Sequence, residues 1–161
     1  MAGATDTETE WDLPSPSINW GAGFSSSGTE AYYDYGDAGG CSTTSTAPPP
    51  GRPCNNGWYQ GDVWNVSWHV PGAYPLPEQY NTTGAQADQW EQLSLYGYQY
   101  EGGAMFIEGS FTQYEACLQN GNCSGTDNTP GAGWTQLYNA LNSNPNTMDS
   151  LPWSTDVEWD S

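Results

Sequence analysis

The chain contains no lysine, one arginine (Arg52) and one histidine (His69), against nineteen acidic residues among 161. Nucleic acid is therefore excluded as a partner, because no cations are present to replace phosphate counterions. An anionic membrane surface is disfavoured on the same ground. Long apolar runs are also missing, and no stretch approaches the length of a membrane span. Phe and Met number three each, so the core must draw on nine Trp and eleven Tyr. Neither G-x-S-x-G nor a lone reactive cysteine is present, which leaves no ready nucleophile motif. There is no C-x₂-C knuckle, and a single His gives little support for zinc. SGTDNTPG, with Asp127 and Asn128, has the composition of a calcium loop but lacks the D-x-[DN]-x-[DN]-G spacing and a closing Glu. No metal and no cofactor are expected.

The net charge of −18 comes from only 12% charged residues. That is too few for the solvated surface of a halophilic protein. Two readings fit. One is a protein suited to acid: with so few basic groups, protonating the carboxylates brings the charge toward zero, and acid unfolding by cationic repulsion is weak. The other is a compositional bias toward Ser, Thr, Asn, Gln and Gly in secreted chains.

The length suits one domain and is short for a complete (β/α)₈ barrel, which takes about 250 residues. Four cysteines, Cys41, Cys54, Cys117 and Cys123, allow three connectivities. Local pairing, Cys41 with Cys54 and Cys117 with Cys123, is the simplest. The even count favours a secreted, extracellular protein. Asn65, Asn81 and Asn122 head possible N-glycosylation motifs. MAGATDTETE is polar and acidic and carries no export signal, so the start is expected to be a mature terminus.

The stretch Asp62–Ile107 reads as a βαβ unit. In VWNVSWHV (63–70), large apolar and small polar residues alternate, which predicts a strand. Pro71, Pro75 and Pro77 predict a loop after it. Residues 84–100 carry helical spacing through Ala87, Trp90 and Leu93, and Gly102-Gly103 stops them. AMFI (104–107) predicts a short buried strand. Upstream, residues 1–28 read as a mobile or loosely packed segment in which Pro14 and Pro16 oppose a helix. The remainder, 29–161, reads as one α/β domain. It opens with the strand TEAYYDY (29–35), followed by a Pro-rich loop that holds the first cysteine pair. Further helices are predicted at 112–119, with Ser110 or Thr112 as N-cap, and at 134–141. WSTDVEW (153–159) predicts a last strand. The fold class is therefore α/β: a partial (β/α)-barrel-like or small layered domain with long disulfide-closed loops.

The pieces DVWNVSWHVPGAYPLPEQY, QWEQLSLYGYQYEGGAMFIEGSFTQYEAC, CSGTDNTPGAGWTQLYNALNS and LPWSTDVEW resemble the C-terminal part of secreted bacterial glycoside-hydrolase-like proteins. Those are relatives of lysozyme-type hydrolases built on (β/α)₈ barrels. The resemblance spans residues 29–159, and its most specific parts are VSW-x₅-YPLPE-x-Y and LPWSTDVEW. It implies earlier β/α units, including a strand tip with an Asp/Glu pair. No upstream motif is matched to that pair, so its roles are not carried over. A partial barrel also implies open sheet edges that invite a homo-oligomer or a second chain.

Three carboxylates stand out as candidate catalysts. Asp34 and Asp37 end the aromatic strand, and Glu108 follows AMFI. Strand tips collect functional groups in α/β folds, and a carboxylate pair suits glycosidic cleavage. Asp before Gly is also ordinary turn chemistry, and Glu108 also suits a helix N-terminus. Trp64, Trp68, Tyr98 and Tyr100 are candidates for sugar stacking, with core packing as the competing role for the two Trp. Trp11, Trp58, Tyr59 and Trp159 are further candidates for exposure. His69 reads either as a base or as a hydrogen-bonded side chain beside a strand. The expected function is a glycoside-hydrolase-like protein that acts on or binds polysaccharide or cell-wall glycan. The alternative is a non-catalytic carbohydrate-binding or self-assembling subunit.

Overall fold

A computed structural model describes residues 2–28 and 30–159. Thr29, the first residue of the expected aromatic strand, lies outside them. Five short strands run parallel: β1 (Gly3–Thr5), β2 (Tyr32–Asp34), β3 (Ala73–Pro75), β4 (Gly109–Thr112) and β5 (Trp153–Asp156). They form two small sheets, β1-β2-β3 and β4-β5. Beyond β3 the chain stays extended and joins the two. The Leu76 and Glu78 N–H groups donate to Asp34 and Gly36 at 2.7 and 3.3 Å. On the other side, Pro75 and Pro77 carbonyls accept from Glu108 and Phe111 at 3.0 and 2.9 Å, and Gln79 donates to Phe111 at 2.7 Å. The two prolines have no N–H to return. This seam therefore carries fewer bonds than a full ladder, and regular pairing breaks there. No barrel closes among the described strands.

The prolines thus lie in the extended segment itself, where a loop was expected. The run 63–70, expected as a strand, is helical instead: α2 (Gln60–Trp64) passes into a π-helical turn at Asn65–His69. The reason is a second periodicity in the same residues. Val63, Val66, Ser67 and Val70 recur at i, i+3, i+4 and i+7, and all four are buried. Asp62 sets the helix start by accepting from the Tyr59 N–H at 2.9 Å.

The N-terminal stretch is also corrected. β1 pairs with β2, and Thr7 and Thr9 are buried. The Asp12 carbonyl accepts from Asn56 Nδ2 and Trp58 Nε1 at 2.7 and 2.9 Å. Residues Pro14–Ser26 form α1, with proline in the first turn, where a missing N–H costs nothing. Gly21 lets this helix approach β2, since a Cβ there would sit 3.2 Å from the Tyr32 hydroxyl.

Helix α3 (Ala85–Tyr96) continues as a π turn at Gly97–Glu101, close to the expected span. It packs on α5 (Pro130–Asn142), which is capped by Thr129. The AMFI run is not a strand. Met105 and Ile107 are buried, but Ile107 N–H donates to Asp149 Oδ2 at 2.7 Å, and pairing begins at Gly109. Helix α4 (Tyr114–Asn120) is capped from β5 and not by Ser110 or Thr112: Asp156 accepts from the N–H groups of Tyr114 and Glu115. The core holds Trp58, Trp90, Tyr96, Leu93, Ile107 and Leu137. Cys41–Cys54 and Cys117–Cys123 are bonded, the local pairing. Two disulfides fit an extracellular protein. Among the described residues no helix is long and apolar enough to cross a membrane.

Candidate active site: an acidic hollow at the strand ends

Parallel strands deliver their C-terminal ends to one rim. After β1 the chain reads Asp6-Thr7-Glu8-Thr9-Glu10. The period of two buries Thr7 and Thr9 and leaves the acids outside. After β2 come Tyr35, Gly36 and Asp37, and the extended end of β3 brings Glu78. One carboxylate oxygen from each of Asp6, Glu8 and Glu78 lies within 4.8 Å of the other two. Asp37 is held close by, its Oδ1 accepting from Thr9 N–H and Oγ1, both at 3.0 Å. Glu10 accepts from Asn55 Nδ2 at 2.9 Å. Gly36 is forced by closeness, since a Cβ would sit 1.9 Å from the Thr7 carbonyl oxygen.

Glu8, Glu10, Asp37 and Glu78 open on a hollow of 390 Å³ that Tyr80 and Gln86 also line. Aromatic rings back it. Tyr35 lies 5.1 Å from Phe111, and Phe111 lies 6.2 Å from Tyr80. Asp6 faces a neighbouring hollow of 270 Å³ that Asp12 and Trp20 help to line.

Glu78 is the unusual member. It is 3% exposed, and its Oε1 has no hydrogen-bond partner. Burial pushes its pKa up to about 9, and Asp6, Asp37 and Glu8 push the same way. The Tyr80 hydroxyl, which donates to it, opposes the rise. Asp6 and Glu8 are also raised, first by partial burial and then by neighbouring acids. No lysine exists to offset this charge. The rim therefore pairs a carboxyl group that keeps its proton with nearby carboxylates, the division of labour that acid–base chemistry requires.

The three expected catalysts do not converge. Asp37 lies in the acidic hollow. Asp34 is sealed below it, 1% exposed, with Oδ2 accepting from Ser67 Oγ at 2.6 Å. Glu108 lines a separate hollow of 480 Å³ with Tyr33, Leu76 and Trp153. The stacking candidates are elsewhere too. Trp64 is buried and stacks on His69 at 4.9 Å. Both line a hollow with Trp68 and residues 101–104, where α2 leads into the start of β3, the far end of the strands from the acids. Tyr98 and Tyr100 are exposed on the π turn that ends α3. Trp11, Tyr59 and Trp159 are exposed as expected, whereas Trp58 is fully buried. Of the glycosylation candidates, Asn122 is exposed, while Asn65 and Asn81 are half-buried.

Sequence reasoning missed Asp6, Glu8, Glu78 and Tyr80. Signals existed for all four. The D-T-E-T-E alternation follows a short apolar run, and E-Q-Y follows a proline-spaced extended segment. No family model, no curated protein and no solved structure matches this chain.

Proposed function

We propose that the acidic hollow hydrolyses a glycosidic bond in a polysaccharide or cell-wall glycan. The observation that carries this reading is Glu78, a buried carboxyl group beside Asp6 and Glu8 at the C-terminal rim of parallel strands. Glu78 is the proton donor to the glycosidic oxygen. As that C–O bond breaks, the Glu8 carboxylate in the same hollow attacks the anomeric carbon and forms a glycosyl ester. Glu78, now ionised, takes a proton from water, and that water cleaves the ester. Retaining enzymes hold their carboxyl groups about 5–5.5 Å apart and inverting ones about 6.5–9.5 Å. The short spacing here favours retention. Asp6 stabilises the positive charge that develops on the sugar, and Tyr80 offers a ring for stacking.

Support also comes from position. Asp6 and Glu8 follow β1 and Glu78 follows β3, at the C-terminal ends of parallel strands where functional groups gather. The pairings β1-β2-β3 and β4-β5, joined through the extended end of β3, follow chain order with every strand parallel. That is the order of a (β/α) barrel, and we read the sheet as an open part of one. The disulfides support secretion.

A second reading, self-assembly, has its own observation. Tyr33, Leu76 and Trp153 leave an uncovered hollow on the sheet, with Trp153 63% exposed. Parallel sheets are ordinarily covered on both faces, so a second copy or another chain is a candidate cover.

The test is turnover of purified cell-wall and polysaccharide substrates, followed by reducing ends between pH 4 and 7. Glu78→Gln should abolish turnover while keeping the fold. Full activity in Glu78→Gln, or no turnover of any glycan by the wild-type chain, would reject the hydrolase reading. Light scattering tests the second: a monomer at all concentrations removes it.

A further inference from the structure

We propose that Asp6, Glu8 and Glu78 together form a binding site for a divalent cation of calcium's size. Clustered acids alone are no evidence, and on a chain of −18 they are common. The distinguishing observation is Glu78. Its side chain is almost wholly removed from water, it lines the hollow, and its Oε1 has no hydrogen-bond donor. A buried carboxylate oxygen normally finds a donor, and leaving one unmade is costly. Among the groups close to the Glu78 carboxyl are two more acids, Asp6 and Glu8, which have nothing to donate when ionised. The chain has little counter-charge to offer: it has no lysine, its one arginine, Arg52, is exposed in the Pro-rich loop, and its one histidine lines the hollow at the other end of the strands. A cation satisfies all three acids at once, and its binding releases the proton that Glu78 otherwise keeps.

The chemistry of the donors selects the ion. All three are hard carboxylate oxygens, with no imidazole or thiolate, which excludes a preference for zinc or copper. Calcium binds oxygen at about 2.3–2.6 Å, so oxygens up to about 5 Å apart can share one ion. Magnesium, at about 2.0–2.1 Å, demands a near-ideal octahedron and gives up its waters reluctantly, which suits an open set of three unequal acids less well. The ligands also differ in freedom. Glu78 is buried, Glu8 half-buried and Asp6 exposed, so one fixed oxygen anchors the ion while two mobile ones close on it. Water in the open hollow fills the remaining positions.

The site coincides with the one assigned to glycan cleavage, but the inference does not depend on that activity. The two roles exclude each other in time. Glu78 cannot donate a proton while it coordinates a cation. Calcium is therefore expected to inhibit any glycan turnover.

The experiment is calorimetric titration of the chelator-treated full chain with calcium chloride in 150 mM NaCl. Terbium luminescence sensitised by the nearby tyrosines serves as a second readout. The expected result is one saturable site with Kd on the order of 10⁻⁴ M, the range of open extracellular sites. Glu78→Gln and Asp6→Asn should each weaken binding at least tenfold. Glu101→Gln, in the hollow at the other end of the strands, should leave it unchanged. Circular dichroism confirms that the variants are folded. Weak non-saturating binding by the wild-type chain, or equal binding by Glu78→Gln, overturns the site. A chain that binds one calcium but cleaves no glycan keeps this inference and discards the hydrolase. The reverse result discards only the cation site.

Discussion

Two buried acids at neighbouring places in the sheet show how company decides the role of a charge. Asp34 ends β2, and burial raises its pKa to about 6. Around it are hydrogen-bond donors, the Ser67 hydroxyl and groups of Thr7 and Gly36, that pull the value back down. Glu78, on the next strand, rises to about 9. There only Tyr80 opposes burial, while Asp6, Asp37 and Glu8 add to it. Each acid has one oxygen without a strict partner. Asp34 is closed in by donors, however, and Glu78 opens on a hollow among carboxylates. The first arrangement fits a structural acid inside the sheet. The second holds a proton at the wall of an open hollow, where perturbed acids are candidates for function.

The largest expected effect breaks the comparison at Glu78. Glu78→Gln preserves shape and burial but removes the transferable proton. Glycan turnover should fall roughly 10²–10⁴-fold, the usual weight of a positioned acid. Asp34→Asn, assayed per folded molecule, should keep most of its activity. Equal losses in the two variants would show that the difference in company does not matter.

The second effect is on stability and sharpens the comparison at Asp34. Its folded pKa lies above the ordinary 3.8. The folded chain therefore holds this proton to higher pH than the unfolded chain does. The stabilisation is fully present below about pH 4, fades as pH rises through 6, and is absent above. About two pKa units correspond to roughly 3 kcal/mol at most. Urea unfolding at pH 4 and pH 7 should show the wild-type midpoint falling over this interval, and Asp34→Asn should flatten the fall. A parallel slope in the variant would remove Asp34 as its source.

The contrast between Asp34 and Glu78 also marks how far the sequence could be read. The helices around Trp90 and Leu137 and the aromatic strand at Tyr32 were legible, because each rests on local spacing; the cysteine pairing could be read only as the simplest of three connectivities. The run 63–70 was not. Its residues satisfy period two and the helical i, i+3, i+4, i+7 pattern equally, and burial of Val66 and Ser67 beneath the sheet chooses the helix. Pro75 and Pro77 signal a loop by propensity, yet they sit where their carbonyls are used and their missing N–H groups only thin a seam. Asp37 was legible as a strand-tip acid. Its partners Asp6 and Glu8 were hidden in a stretch whose polarity resembled a loose terminus, and Glu78 depended on the misread proline segment. Glu108 failed for a related reason. It precedes β4 instead of following it, so it lies away from the acidic rim.

A third, smaller effect separates the two ends of the strands. Tyr98→Ala with Tyr100→Ala removes exposed rings from the end opposite the acids and should change KM for glycan less than twofold. Tyr80→Ala, at the hollow, should raise KM by up to about tenfold, since loss of a stacking ring costs roughly 0.5–1.5 kcal/mol. If the far-end pair has the larger effect, the substrate binds at the aromatic end and the acidic hollow is not its site.

The smallest effect is the most specific. Tyr80 donates a hydrogen bond to Glu78, and that bond favours the ionised form and lowers its pKa. Tyr80→Phe keeps the ring and deletes the donor. Glu78 should then hold its proton to still higher pH. With a chelator present, so that no cation competes for the carboxylate, the alkaline limb of the turnover profile should move upward by a fraction of a pH unit. The maximal rate should change little, because the ring and both carboxylates remain. A downward shift would mean that Tyr80 stabilises the protonated acid instead. No shift at all would mean that the limb reports a group other than Glu78. The sign of this displacement therefore tests whether the proton that matters is the one on Glu78, which loss of activity in Glu78→Gln alone cannot do.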